Sequence, residues 1–378
     1  MDDMCFYFAG GGTGGHIYPA IAVAEQIALM EPKAKNHFFC STREIDKRVL
    51  GQTSFEYTAL PAKGFSLRLK GLIAFYMSFR QSCRIAQDVI GSGKNAVVVG
   101  VGGFVSASVC WAAHKCDVPM TLLNVDIVPG RANKFVARWA DEVFVQFEEA
   151  GPYFAQRGAK VNVVGCPLRS GFKRPEPDVA IEQLGLDKEK KVLLITGASS
   201  GAQNINKTIC SLLEKLESFA NDWQIVHLTG IANHEQVVSD YRDARISHKV
   251  LAYFDDMPNL LAAANLVIGR SGAVSVAEYA AAGAPSICMP YPYHKDRHQY
   301  LNAGKLVDVG AAVIVDDLAD EKDRSEWLWE ELEELMKDDD KRRQMAEASR
   351  TVARPQADEK ITERLLEIAR GKSELKGN

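Results

Sequence analysis

Short apolar runs alternate with helix-patterned stretches along most of this chain. In the first half the runs fall at residues 4–9, 37–41, 95–100, 120–123, 142–146 and 161–164. In the second half they fall at 191–196, 225–229, 250–254, 266–269 and 286–290. Several are apolar at every position, as in Ala96-Val97-Val98-Val99. A strand covered on both faces has that signature, whereas a half-exposed strand alternates. Helical spacing is predicted over 20–30, through the small residues up to Ala113, and from Ser271 to Gly283. A single amphipathic helix is predicted over 316–343, with Trp327, Trp329, Leu332 and Leu335 on its apolar face. A last helix runs from Arg354 to Ala369. Repeated strand–helix alternation predicts an α/β architecture with parallel sheets.

Four of the strand-to-helix junctions carry small residues. They are Gly10 to His16, Gly100 to Ser106, Gly197 to Asn204, and Arg270 to Gly272. Such a junction lets backbone approach a ligand and aims helix N-terminal N–H groups at an anion. A phosphate-binding loop of the Walker type is excluded, because no Gly-Lys-Ser/Thr follows. His16, at the mouth of the first loop, fits either a general base or a packed turn residue. Ser199 fits either a phosphate donor or a helix cap. Glu278 stands seven residues after Ser271, a spacing that puts both on one helical face. It fits a ribose-binding carboxylate, but locally a surface glutamate is the simpler reading. The polar run His294 to Gln299 follows a strand, where open α/β sheets bind ligands. Between Lys63 and Arg84, basic residues interleave with Phe65, Leu67, Ile73, Phe75, Tyr76, Met77 and Phe79. That pattern suits a membrane-surface helix or, more plainly, a core helix with snorkelling cations.

Composition adjusts this picture modestly. A chain of 378 residues predicts two domains. Composition turns charged and loop-like around 166–178, where the boundary is placed. A net charge of −4 excludes a general nucleic-acid binder. No apolar run is long enough for a membrane span, and the acidic start is not a signal peptide. The eight cysteines are scattered without a C-x-x-C pair, which points to reduced thiols in a cytoplasmic protein and against a zinc site.

Taken in order, the motifs form a specific set. They are G-G-T-G-G-H at 11–16, G-V-G-G-F at 100–104, V-G-C-P-L-R at 164–169, G-A-S-S-G-A at 197–202, R-S-G-A-V-S-V-A-E at 270–278 and H-K-D-R-H-Q at 294–299. In that order and over nearly the whole chain, they resemble the MurG-type N-acetylglucosaminyltransferases of peptidoglycan synthesis, in glycosyltransferase family 28. The resemblance implies a GT-B fold, two Rossmann-like parallel-sheet domains facing a cleft. It implies an N-terminal acceptor and membrane domain at 1–166, joined by the C-terminal helix at 354–378, and a UDP-sugar domain at 167–353. The implied reaction is inverting transfer of N-acetylglucosamine from UDP-N-acetylglucosamine to the muramoyl 4-hydroxyl of lipid I, without metal or cofactor. A lipid acceptor further implies a peripheral protein on the cytoplasmic face of an anionic membrane, touching it through 63–84 with Trp111 and Lys115.

The same resemblance assigns residues. His16 matches the base. Thr13, Gly14, Gly15, Ser199, Gly201, Arg270, Ser271 and Gly272 match the diphosphate grip, and Glu278 matches the ribose contact. Phe254 stands where backbone holds uracil, while His298 and Gln299 match positions near the donor sugar. Asn133, Arg169 and Asn206 also fall on donor-site positions. Three departures concentrate on the acceptor side or beside the sugar. Leu123-Asn124-Val125-Asp126 replaces a typical H-E-Q-N, Phe104 replaces a tyrosine, and His298 replaces a glutamine. Asn124, Asp126 and Phe104 are therefore the acceptor-side candidates. Alternatives are a related UDP-sugar transferase with another lipid or small-molecule acceptor, or a UDP-sugar-binding protein without turnover.

Overall fold

A computed structural model describes residues 4–12, 14–64, 68–91, 95–197, 201–318 and 320–371. It divides into two compact units, 1–169 with 356–378, and 170–355.

The first unit is built on seven strands: β1 (Cys5–Ala9), β2 (Lys35–Ser41), β3 (Glu56–Leu60), β4 (Ala96–Gly100), β5 (Met120–Asn124), β6 (Glu142–Val145) and β7 (Lys160–Val163). Their order across the sheet is β3-β2-β1-β4-β5-β6-β7, and each neighbouring pair is parallel. β4 and β5 are buried along their whole length, as their unbroken apolar character requires. The second unit holds β8 (Lys191–Thr196), β9 (Trp223–Leu228), β10 (His248–Leu251), β11 (Leu266–Gly269), β12 (Ser286–Cys288) and β13 (Ala312–Ile314). Their order is β10-β9-β8-β11-β12-β13, again parallel throughout. The α/β class read from the sequence is thus realised twice. Sequence reasoning missed β3 and β13, which are short and only partly buried.

Several boundaries differ from expectation. The first helix begins at Gly14 rather than Ala20, so Pro19 lies inside it. Its missing N–H costs that turn one hydrogen bond without ending the helix. The expected helix over 316–343 is two, Glu321–Lys337 and Asp339–Thr351. Asp338 adopts an extended conformation between them, and its carboxylate caps the N–H of Lys341. The buried seam is Leu328, Leu332 and Leu335, while Trp327 is exposed. The final helix, Ala357–Ala369, packs against the first helix, and Thr362 Oγ1 donates to the Val23 carbonyl at 3.4 Å.

Candidate functional site

In each unit the strand order reverses once, between β1 and β4 and between β8 and β11. Open parallel sheets bind ligands beyond the C-terminal strand ends at such a reversal. The four small-residue junctions are the connections that leave those four strands.

In the first unit, the loop after β1 is pinned by a residue that sequence reasoning missed. The Asp46 carboxylate is fully buried and accepts the Gly12 N–H at 3.0 and 2.9 Å and the Ser41 N–H at 3.0 Å. Arg43 Nη1 donates to the Gly12 carbonyl at 2.9 Å. Among the charged residues of 43–48, Asp46 reads as part of a solvated face, which hides its role.

His16 lies half-buried in the first turn of the helix that follows. Gly102, after β4, presses on its ring. A Cβ there would fall 2.8 Å from His16 Cδ2 and 2.9 Å from Nε2, and the backbone φ of +129° itself favours glycine. Burial pushes the imidazole below the ordinary histidine range. The carboxylates of Asp126 and Asp46 and a hydrogen bond to Gly11 pull upward without reversing that direction. The ring is therefore neutral near pH 7 and able to accept a proton.

The neighbouring candidates divide into inward and open ones. Asn124 is buried at the end of β5, donating to the Asp126 carbonyl at 2.7 Å and accepting from Asn133 Nδ2 at 3.2 Å. Its Nδ2 thus serves the turn after β5, and its Oδ1 ties that turn to the helix Arg131–Val136. Asn133 is buried in the helix Arg131–Val136, with its Oδ1 lacking a protein partner. That oxygen would lie 3.7 Å from a Cβ on Gly102, so it borders the same spot as His16. Asp126 is half-buried, and so is Phe104, in the first turn of Gly103–Lys115 with the Arg43 guanidinium 5.8 Å from its ring centroid. Arg169 lays its guanidinium over Tyr18 at 4.6 Å. Gly14 and Gly15 open the first helix, while Thr13 lies outside the described residues.

In the second unit, Gly201 sits between the end of β8 and the helix Gln203–Ser211. Its φ is +73°, and a Cβ would meet the Thr229 carbonyl oxygen at 2.4 Å. Ser199 lies outside the described residues. Asn206 is turned inward: its Nδ2 donates to the Thr229 carbonyl at 2.9 Å and its Oδ1 is 3.1 Å from His227 Nε2. His227 Nδ1 in turn meets the Tyr241 hydroxyl at 3.0 Å, and burial lowers its pKa to about 3. Asn206 therefore fixes β9 against the helix.

Arg270, directly after β11, is nearly buried. Its Nη1 donates to the Met289 carbonyl at 2.7 Å and stands 2.7 Å from Asp317 Oδ2. Ser271 is not on the helix, which runs Ala273–Ala282 behind an extended Gly272. Its buried hydroxyl donates to the Gln299 carbonyl at 3.0 Å, so the expected shared face with Glu278 does not exist. Glu278 itself is half-buried on that helix. The polar run forms a loop leading into the helix His298–Val307. Gln299 Oε1 accepts the Tyr291 N–H at 2.8 Å. His298 Nδ1 lies 2.7 Å from Asp296 Oδ1, and its ring stacks on His294 at 4.3 Å. Burial alone would raise the Asp296 carboxyl, but the bond and charge of His298 hold it below the usual range. β10 ends at Leu251 rather than at 254, leaving Phe254 half-buried in the turn before Met257–Ala263. A cavity of about 350 Å³ bordered by Lys191, Asn265, Pro285 and Arg350 lies at the N-terminal ends of β8, β11 and β12 and contains no candidate residue.

Comparison with known proteins adds an independent line. The glycosyltransferase family 28 N-terminal domain matches residues 6–145, and the C-terminal domain of that family matches 192–361. A UDP-N-acetylglucosamine–N-acetylmuramyl-(pentapeptide) pyrophosphoryl-undecaprenol N-acetylglucosamine transferase of Acetivibrio thermocellus is 32% identical over 368 residues, covering 97% of this chain and 98% of the relative. A crystal structure of Acinetobacter baumannii MurG superposes with a TM-score of 0.69 at 23% identity, covering 96% of this chain and 99% of that one. A putative UDP-N-acetylglucosamine 2-epimerase of Listeria monocytogenes reaches 0.71 at 14% identity, covering 98% of each chain. At those identities the two structures speak for the fold alone.

Proposed function

This chain belongs to glycosyltransferase family 28, and we propose that it transfers N-acetylglucosamine from UDP-N-acetylglucosamine to the muramoyl 4-hydroxyl of lipid I, forming lipid II. Full-length similarity to transferases bearing that name supports the substrates. The neutral, half-buried His16 at a sheet reversal carries the chemistry.

The acceptor oxygen attacks the anomeric carbon as the bond from that carbon to the diphosphate oxygen breaks. Configuration inverts, the hydroxyl proton passes to His16, and UDP departs with the bonding electron pair. Arg270 and the positive end of the Ala273–Ala282 helix dipole receive the charge growing on the diphosphate. The family resemblance assigns Thr13, Ser199 and Gly201 to the same diphosphate role. Glu278 accepts from the ribose hydroxyls, Phe254 offers backbone to the uracil, and His298 and Gln299 flank the sugar. Incubation with labelled UDP-N-acetylglucosamine and a lipid I analogue should yield lipid II and UDP. Replacing His16 by alanine should cut turnover by roughly 10²–10⁴-fold while sparing UDP binding. Tight UDP binding without any transfer by the native protein would sink this reading.

A second reading, the same chemistry on another acceptor, draws on the acceptor side. Asn124 is engaged internally there, and Asp126 stands beside His16. Transfer to a different lipid or small-molecule hydroxyl, with lipid I inert, would select it.

The lipid acceptor places the protein peripherally on the cytoplasmic membrane face. No described helix is long and apolar enough to cross a membrane. On the helix Leu69–Ile90, Ile73, Tyr76 and Met77 are exposed at i, i+3, i+4 spacing, with Arg68, Lys70, Arg80 and Arg84 exposed around them. That patch favours membrane contact over the core-helix reading. Phe65 and Leu67 lie outside the described residues. Co-sedimentation with anionic vesicles should be lost when Ile73 and Met77 are both replaced by glutamate, and equal sedimentation would remove this patch from the proposal.

A further inference from the structure

We infer that Asp317 is a positioning residue for Arg270, and that Arg324 keeps Asp317 from cancelling the charge Arg270 offers to a diphosphate. The inference deepens the donor-site reading above and rests on it. Asp317 follows β13 and its side chain is completely buried. Three elements converge on it. Arg270, after β11, brings Nη1 to 2.7 Å from Oδ2; Asn204, in the first turn of Gln203–Ser211, donates to Oδ1 at 3.0 Å; and Arg324, on Glu321–Lys337, places Nε 3.7 Å from Oδ1. Asp317 thus ties the helix that follows the Gly197–Ala202 junction to the residue that follows β11. Those are the two junctions flanking the sheet reversal.

The arrangement has an electrostatic consequence. A lone Asp317–Arg270 pair would be neutral and would offer an anion little. Arg324 is nearly buried and adds a second guanidinium, so the trio carries one net positive charge. Arg324 is itself held by the fully buried Thr208 hydroxyl at 2.8 Å. The adjacent Asp316 does not offset that charge by pairing here, since it accepts from the Tyr300 hydroxyl at 2.6 Å. On Arg270, Nη1 donates to the Met289 carbonyl and pairs by charge with Asp317 Oδ2, an oxygen without a hydrogen bond of its own, and among the described residues the other two nitrogens have no hydrogen-bond or ion-pair partner. The guanidinium is therefore held at one corner, with the Tyr291 ring centroid 5.7 Å from its carbon, which leaves Nε and Nη2 for a bidentate oxyanion contact.

Positioning and plain electrostatics predict opposite signs. Replacing Asp317 by asparagine raises the local charge by one, so electrostatics alone would tighten UDP binding. Positioning predicts a UDP dissociation constant higher by roughly tenfold or more, with uridine binding unchanged. Calorimetric titration of the full chain with UDP and with uridine reads both. Equal or tighter UDP binding by Asp317→Asn overturns the inference. Should that variant fail to fold, Asn204→Ala decides, because Asn204 is half-exposed and the change removes only one tether. Weaker UDP binding with uridine unchanged supports the inference, and unchanged UDP binding defeats it. Arg270→Ala separates the two levels. If it leaves UDP affinity intact, the diphosphate role of Arg270 fails. If it weakens UDP while Asp317→Asn does not, only the positioning role fails. The double variant should lose no more than Arg270→Ala alone.

Discussion

His16 shows what a residue carries by itself and what its surroundings add. A histidine in a glycine-rich loop is visible in the sequence, but its protonation state is set by burial and by carboxylates from two other segments, Asp46 and Asp126. A base works only when unprotonated. With its pKa lowered in the folded protein, the acid limb of kcat/KM should fall below about pH 6.5, the ordinary histidine value. Replacing Asp126 by asparagine removes an upward pull and should move that limb to still lower pH. A limb that stays put or moves upward would count against the coupling. Asn124, Asn206 and Ser271 teach the complementary lesson. Their chemistry suits ligand contact, yet each spends its polar atoms inside the protein. Residue type supplies donors and acceptors but does not say which neighbour uses them.

At the level of elements, the strands were the easiest to read. Parallel strands buried on both faces must be apolar throughout, and that pattern is local. Helix limits were harder, because they depend on caps. Asp338 breaks one expected helix into two by capping the second, and a helix starting at Gly14 tolerates Pro19. The turn after β4 is the element most exposed to a single change. Gly102→Ala would drive a methyl group into the His16 ring and force a side chain into a positive-φ backbone. A displacement on the order of 1 Å at a reacting group costs about 100-fold in rate. We expect turnover to fall by that order with UDP affinity retained, which steady-state rates and titration calorimetry together would check. Normal turnover would mean that His16 tolerates the shift.

For the molecule as a whole, the last helix completes the first unit although the second unit intervenes in sequence. Ile361, Leu365, Leu366 and Ile368 are buried on it, and Arg364 Nε donates to Glu142 Oε1 at 2.8 Å. Burial would raise the Glu142 carboxyl, but Arg364, Asn162 and Lys160 hold it below the usual range. Each of those apolar side chains contributes roughly 1.5–3 kcal/mol by burial. Ending the chain at Pro355 should therefore lower the Tm of the first unit sharply and leave the second unit's transition in place. Calorimetry showing both transitions unmoved would contradict that division of labour.

The sequence by itself determined the strand–helix alternation, the small-residue junctions and, through the ordered motifs, the family. These are local patterns, written by the sterics of backbone and the periodicity of burial. Only the tertiary structure decided the strand order, and with it the reversals that bring the β1 and β4 loops together and the β8 and β11 loops together. It also disclosed Asp46 and Asp317, buried carboxylates in charged stretches that look solvated in one dimension. A carboxylate's partners come from other segments, so its role becomes visible only when the chain has folded around it.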